Sequence, residues 1–369
     1  MTISANTKFF FISILLTSLL GCAQFGPDLM KKGRNEYNKV LAQTEDEEIL
    51  LNLVRLRYAD NPSFLKVNSV STAFNWKEGY GFDASFFKGV QDGKNNIGIR
   101  GNTEYIEKPT ITYSPLSGSE YVKNFLTPVN SDLILLLARS GWSLDRVVRL
   151  TVNRINKIEN APTASGPTPK SRPVFKEFIK LSRKLNSLNQ NSKISFGYQM
   201  EGNPNKTALL IKKKYQSDKE VLDLKEMLKI NTSNTIIPIA NYVEMADEAY
   251  SNDINLESRS LAGILFFLSH GVQIPLDDLE QGRVTQTKDI DGKNFNWAEV
   301  LNDLFTVYTS KEPPKDATIA VEYRNNWFYI KDNDMDTKYT LMLLNQISSL
   351  QSGNIDKPGP LLTLPVSGN

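Results

Sequence analysis

The 369 residues are enough for about two domains. A content of 40% apolar and 23% charged residues excludes a wholly disordered chain, a collagen-like chain and a polytopic membrane protein. Forty-three Lys and Arg against 41 Asp and Glu leave a formal charge of +2, so no basic stripe is implied and nucleic acid is not expected as a partner. One His and one Cys exclude most His- or Cys-built metal sites and any intrachain disulfide. No cofactor and no metal are expected, and the mature fold should need neither metal nor thiol.

The amino terminus reads MTISANTKFFFISILLTSLLGC. Lys8 supplies a positive n-region, and Phe9 to Leu20 is an apolar run broken only by Ser13, Thr17 and Ser18. That run fits a signal h-region and is shorter than the roughly 20 residues of a spanning helix. It ends in Leu19-Leu20-Gly21-Cys22, which resembles the bacterial lipobox. Signal peptidase II would cut before Cys22, and the thiol would carry diacylglycerol, with acyl chains such as palmitate as the anchor. Each buried methylene holds by about 0.8 kcal/mol. The plainer alternative is a secretory signal with a chance cysteine, but the only Cys of the chain stands where the lipobox needs it. Ala23 rather than Asp after the lipidated cysteine suggests transport to the outer membrane, facing the periplasm.

The expected organisation follows from composition and pattern. Residues 1–21 are the lipoprotein signal peptide and 22–43 a tether. Residues 44–159 read as an N-terminal α+β domain. Thr44-Glu45-Asp46-Glu47 matches a capping box before a helix carrying Leu50, Leu53, Val54 and Leu56, which Asn61-Pro62 stops. Residues 65–114 alternate in short stretches separated by turn residues, with Asp92-Gly93 as a hairpin signal, and read as a Gly-rich antiparallel meander. Residues 117–141 are helical. Gly141 ends that helix, Ser143 can cap the next, and Val148, Leu150 and Val152 suggest a strand. Residues 160–173, rich in Pro, Ser, Thr and Ala, read as a linker between domains.

The second domain, 174–355, alternates helix and strand. Helices are expected over 174–188, 219–230, 256–270, 297–305 and 336–350. Strands are expected over 194–201, 208–214, 235–240, 283–288, 317–323 and 327–330, the last two joined across Asn325-Asn326. Residues 356–369 form a Pro-rich tail. The class is α+β, with mostly antiparallel sheets and packed helices.

Several stretches test chemical motifs. Gly79-Tyr80-Gly81-Phe82-Asp83-Ala84 matches G-x-G-x-x-A, but Phe82, Ala84 and Phe86 alternate as a strand does, so a β-turn glycine pair is the better reading. Gly141-Trp142-Ser143-Leu144-Asp145 lacks the last glycine of a nucleophile elbow. His270 ends an apolar helix, where a structural imidazole is usual. Asp332, Asp334 and Asp336 have calcium-loop spacing, but Thr337 and Leu343 stand where Gly and Glu are required. Asp277, Asp278 and Glu280 read as a polar helix start, and Lys212-Lys213-Lys214 as a solvated edge.

Leu50 to Tyr58 (LLNLVRLRY), Pro109 to Leu116 (PTITYSPL), Ser140 to Arg146 (SGWSLDR), Asn160 to Pro167 (NAPTASGP) and Trp327 to Ile330 (WFYI) together resemble an uncharacterised family of outer-membrane lipoproteins of Gram-negative bacteria. The resemblance covers most of the mature chain. It implies a shared fold and an envelope location, and it brings no catalytic residues.

Two functions of different class follow. The first is a non-enzymatic structural, assembly or partner-binding lipoprotein, with lipid attachment at Cys22 and no catalytic, cofactor or metal residues. Its partners would be the membrane, through the anchor, and an envelope protein or further copies of itself. The second is a carboxylate-dependent periplasmic or cell-wall hydrolase, since paired Asp and Glu converge only in space. A third reading makes the chain a subunit of an oligomeric outer-membrane pore. Residues 65–114 have the alternation of membrane barrel strands, but four strands cannot close a barrel alone. Lys88, Arg100, Glu104 and Glu107 count against any lipid-facing position, so a soluble sheet packed on helices is the expected form.

Overall fold

The computed structural model describes residues 25–84, 97–115, 119–198, 207–230, 233–241 and 252–352. Cys22, Lys88, the turn signal at Asp92-Gly93 and the tail 356–369 lie outside them. Among the described residues the class is α+β, with ten α-helices, a six-stranded mixed sheet, a three-stranded antiparallel sheet and a separate two-stranded hairpin. No helix among these residues is long and apolar enough to cross a membrane.

The chain divides into two compact units. One contains the described residues of 1–62 and 123–353; the other contains those of 63–122. In the larger unit, helix α1 (Phe25–Arg57) runs unbroken through the expected capping box. Thr44 is therefore not a cap, and its hydroxyl donates back to Leu41 O at 3.0 Å. Residues 35–43 hold neither Gly nor Pro, so nothing local stops the helix before Thr44. Leu50, Leu53, Val54 and Leu56 are buried at i, i+3, i+4 spacing. The helix ends where Ala59 turns left-handed at φ +59°.

Helices α2 (Ser119–Leu126), α3 (Ser131–Arg139), α4 (Leu144–Thr151) and α5 (Lys176–Gln190) follow, with β3 (Val152–Ile155) and β4 (Ile158–Glu159) after α4. Val148 and Leu150 thus belong to a helix and not to the expected strand: residues 147–151 are all buried, without the alternation a half-buried strand would show. The six-stranded sheet adds β5 (Ile194–Tyr198), β6 (Thr207–Ile211), β7 (Ile236–Asn241) and β8 (Ile254–Ser258), in the order β4-β3-β8-β7-β6-β5. Only β7 and β8 are parallel. Ile134 and Leu135 of α3, Val148 of α4 and Leu185 of α5 meet Leu209, Ile239 and Leu256 around an apolar void of about 50 Å³, which marks the core.

Helix α6 (Lys219–Met227) begins at Asp218, whose side chain accepts from Glu220 N. The 256–270 helix resolves into β8 and α7 (Leu261–Ser269), with Ser260 as the cap between them. Eight of the nine residues of α7 are buried, as an all-apolar helix requires. Helices α8 (Leu276–Glu280) and α9 (Ala298–Leu301) are short, and 283–288 forms no strand but two isolated bridges, from Lys288 to Asn294 and to Ser171. Strands β9 (Tyr308–Ser310), β10 (Ala317–Tyr323) and β11 (Asn326–Lys331) form the antiparallel sheet in the order β10-β11-β9. Arg324 and Asn325, at φ +51° and +59°, make its tight turn one residue earlier than expected. Helix α10 (Met335–Ser352) closes the unit. Asp334 caps it by accepting from Thr337 N at 3.1 Å.

Residues 160–173 do not separate two domains. They lie within the larger unit, with Asn160, Ala161 and Ala164 buried. The smaller unit is also simpler than the expected meander of four short strands. It is one hairpin of two long strands, β1 (Leu65–Ala84) and β2 (Ile97–Pro115). At about 3.3 Å per residue, β1 is roughly 65 Å long.

Candidate functional site

The hairpin register is continuous from Leu65 opposite Pro115 to Ala84 opposite Ile97, apart from a bulge at Asn68. Beyond the bulge, alternation sorts the residues into two faces. One row carries Val70, Thr72, Phe74, Trp76, Glu78, Tyr80, Phe82 and Ala84 opposite Ile111, Pro109, Glu107, Tyr105, Thr103, Gly101, Ile99 and Ile97. The other carries Ser69, Ser71, Ala73, Asn75, Lys77, Gly79, Gly81 and Asp83 opposite Thr112, Thr110, Lys108, Ile106, Glu104, Asn102, Arg100 and Gly98. All five aromatic residues of these stretches fall in the first row, and all three basic residues in the second. Arg100 and Glu104 therefore share the polar row, while Glu107 stands in the aromatic one. Gly79 and Gly81 lie within β1, so the G-x-G-x-x-A match is neither the expected turn nor a strand-to-helix phosphate loop. Among the described residues no third strand pairs with either outer edge.

In the larger unit a buried guanidinium organises the 160–165 loop. Arg259, fully buried, donates from Nη1 to Arg149 O (2.9 Å), Leu150 O (3.3 Å) and Val152 O (2.8 Å), and from Nε to Ser165 Oγ at 2.9 Å. Its Nη2 donates to Asn160 O. Asn160 Nδ2 in turn donates to Arg149 O and Val152 O. Burial pushes Arg259 down to about 9. Arg149, also buried, is held by Asp303 at 2.8 Å and by Val300 O. Asp303 reaches about 2 despite the desolvation of its carboxylate, through hydrogen bonds from Arg149 and Arg183.

A cleft of about 320 Å³ opens beside His270, lined by Arg57, Gln273, Gln286, Asn294, Phe295 and Trp297 among others. His270 stacks on Trp297 and is pushed down to about 3 by burial and then by the charge of Arg57. Arg57 is engaged with Thr168 Oγ1 and Thr285 O, each at 3.1 Å. The cleft offers one cation, a neutral imidazole and side-chain amides. Such a set can hold a polar ligand, but its imidazole is too weak a base for general-base work near neutral pH.

The other sequence-marked residues take structural parts. Ser143 sits before α4, but its hydroxyl bonds Asn186 Oδ1 at 3.3 Å, and that same oxygen caps the helix from Leu144 N at 3.0 Å. Asp332 pairs with Lys338 and Asp336 with Arg146, at 2.7 and 2.6 Å. Asp278, buried, accepts from Tyr58 OH at 2.5 Å and from Arg283 at 2.6 Å. Asp277 pairs with Lys311 at 3.6 Å, and Lys212, Lys213 and Lys214 are exposed. Asp46 is raised by burial, against a hydrogen bond from Asn345 and with Glu47 adding to the rise. Among the described residues no group of His, Cys, Asp or Glu is placed to hold a metal.

Sequence reasoning missed Arg259 and Asn160, whose roles are set by partners about a hundred residues away, and it missed the two-faced order of the hairpin. Only the alternation of Phe82 and Ala84 with Ile97 and Ile99 hinted at the latter. In comparisons with known proteins, no family model, no curated protein and no solved structure matches the chain.

Proposed function

We propose that this chain is a lipid-anchored protein of the Gram-negative outer membrane, attached through Cys22 and facing the periplasm, whose work is assembly rather than catalysis. The hairpin β1–β2 is the working surface. The observation that carries this reading is a two-stranded sheet whose outer edges are both open among the described residues and whose two faces differ in chemistry. Two strands alone are marginal in water, and open edges invite further strands. Strand addition gives affinity through main-chain hydrogen bonds and specificity through alternate residues. The lipobox supports the location, and the larger unit, with its buried arginines, supplies a rigid body to carry the hairpin.

Metabolic labelling with an alkyne palmitate tests the anchor, and a photoreactive residue at position 75 in the lipidated chain tests the surface. The expected result is acylation lost in Cys22→Ser and a crosslinked envelope partner on the hairpin. A wild-type chain that takes up no acyl label, or a hairpin that crosslinks to nothing in intact envelopes, would overturn the proposal.

A further inference from the structure

We propose that the partner strand is supplied by a second copy of this chain, and that hairpins from several copies close edge to edge into a β-barrel in the outer membrane. The inference rests on the assembly reading above and names its partner.

The first argument is the sorting of residues by the register. A barrel strand in a membrane alternates apolar and polar residues, with aromatics on the lipid side. The segments 74–84 and 97–107 place Phe74, Trp76, Tyr80, Phe82, Ile97, Ile99 and Tyr105 in one row. Each is eleven residues long, against about 9–11 for a tilted strand crossing a bilayer. The row contains no Lys or Arg. Its charges are Glu78 and Glu107, and carboxylates weigh less on a lipid face than basic groups do. Lys77, Arg100, Asn102 and Glu104 share the opposite row, as the lining of a water-filled lumen would.

The second argument identifies the occupant. The two strands are 20 and 19 residues long and carry the same two-faced pattern, so β2 of one copy meets β1 of the next as it meets its own. Lys77 is opposite Glu104 within the hairpin, and a ring in this register sets the same opposite charges across every boundary between copies. Barrel closure adds a stagger, and a stagger in steps of two residues keeps every residue on its face. The contact is head-to-tail: the β1 edge meets the β2 edge, never itself. Such contacts generate rings, and a closed ring leaves no edge. About eight strands give the smallest barrels, which requires about four copies.

The test uses two differently tagged full-length lipidated copies expressed together. One carries Asn75→Cys. The other carries Asn102→Cys, Glu104→Cys, Ile106→Cys or Lys108→Cys in turn. Cys22 is acylated, so only the introduced thiols are free, and a disulfide between the tags forms only between copies. The expected result is a disulfide at one stagger of the series, together with conductance steps when detergent-purified wild-type protein is added to a planar bilayer. Phe82→Asp should abolish the steps and Gly81→Asp should spare them, with protease resistance of the larger unit confirming that each variant folds. Disulfides without conductance would overturn the barrel. An absence of disulfides with a crosslink to a different envelope protein would overturn this inference and leave the proposed function standing. An absence of both would sink the two together.

Discussion

His270 stacks on Trp297 with ring centroids 4.1 Å apart and planes 15° apart. Both rings are buried, at 4% and 7% exposure. A protonated imidazole there is desolvated by burial and lies near the charge of Arg57, so the folded state holds His270 down to about 3. The unfolded chain would protonate it near its ordinary 6.5. Between those values the unfolded state binds more protons, so stability present above pH 6.5 is lost as pH falls toward 3. The slope approaches about 1.4 kcal/mol per pH unit.

The first prediction follows from that window. His270 is the only histidine, so no other imidazole titrates between pH 7.5 and 5. The urea midpoint should fall over this range, and His270→Gln should flatten the fall. The raised carboxyl of Asp46 works in the opposite direction, because its folded form takes up a proton first on acidification. Comparing the variant with the wild type removes that contribution. Parallel profiles for the two proteins would refute the assignment.

The second prediction concerns Arg259. Its guanidinium lies 3.9 Å from the centroid of the Phe267 ring while it donates to four backbone carbonyls and to Ser165. Arg259→Met keeps the bulk and removes every donor, leaving buried carbonyls that cost about 1–3 kcal/mol each where Asn160 does not cover them. A loss of roughly 5–10 °C in thermal midpoint is expected for a unit of this size. Arg259→Lys should recover only part of it, because a point charge cannot serve a fork of acceptors. A midpoint in Arg259→Met equal to the wild type, measured by circular dichroism, would show that the loop is held by other means.

How much of this was legible in the sequence depended on whether the determining partner was near in the chain. The β10–β11 hairpin and helices α5 and α10 could be read because their periodicity and turn residues are local. Helix α4 was misread because Val148, Leu150 and Val152 alternate over a stretch too short to separate the two periods. Residues 160–173 have a linker's composition, yet Asn160 is buried through Arg259, 99 residues further on. No local pattern records that bond. The two faces of β1–β2 were hidden for a related reason. The bulge at Asn68 shifts the alternation, and which residues share a face across the strands needs the register as well as the pattern. Glycines 79 and 81 read as breaks although the ladder runs straight through them. At the cleft the single histidine was legible at the end of an apolar helix, but Arg57 and Trp297 could not be joined to it without the fold.

The last prediction sets two glycines against each other. Gly271 carries no unusual backbone angle, but a Cβ there would lie 2.7 Å from Phe305 O and 3.2 Å from Leu268 O. The crowding arises because 271–273 runs against 305–307: Val307 N donates to Gly271 O at 3.0 Å and Gln273 N to Val307 O at 2.9 Å. Backbone atoms cannot step aside as a flexible side chain can, so Gly271→Ala should destabilise by about 1–3 kcal/mol through overpacking. Gly141 is the converse. Nothing lies within 4 Å of a Cβ there, but its φ of +93° follows the end of α3, a conformation that L-residues resist. Gly141→Ala should cost about 1 kcal/mol. Asparagine separates the causes. It tolerates left-handed backbone better than alanine, so Gly141→Asn should be milder than Gly141→Ala, whereas Gly271→Asn adds bulk and should be worse than Gly271→Ala. Urea midpoints of the four variants check the ordering, and the same rank of Ala and Asn at both positions would mean that space and backbone angle have been assigned to the wrong glycines.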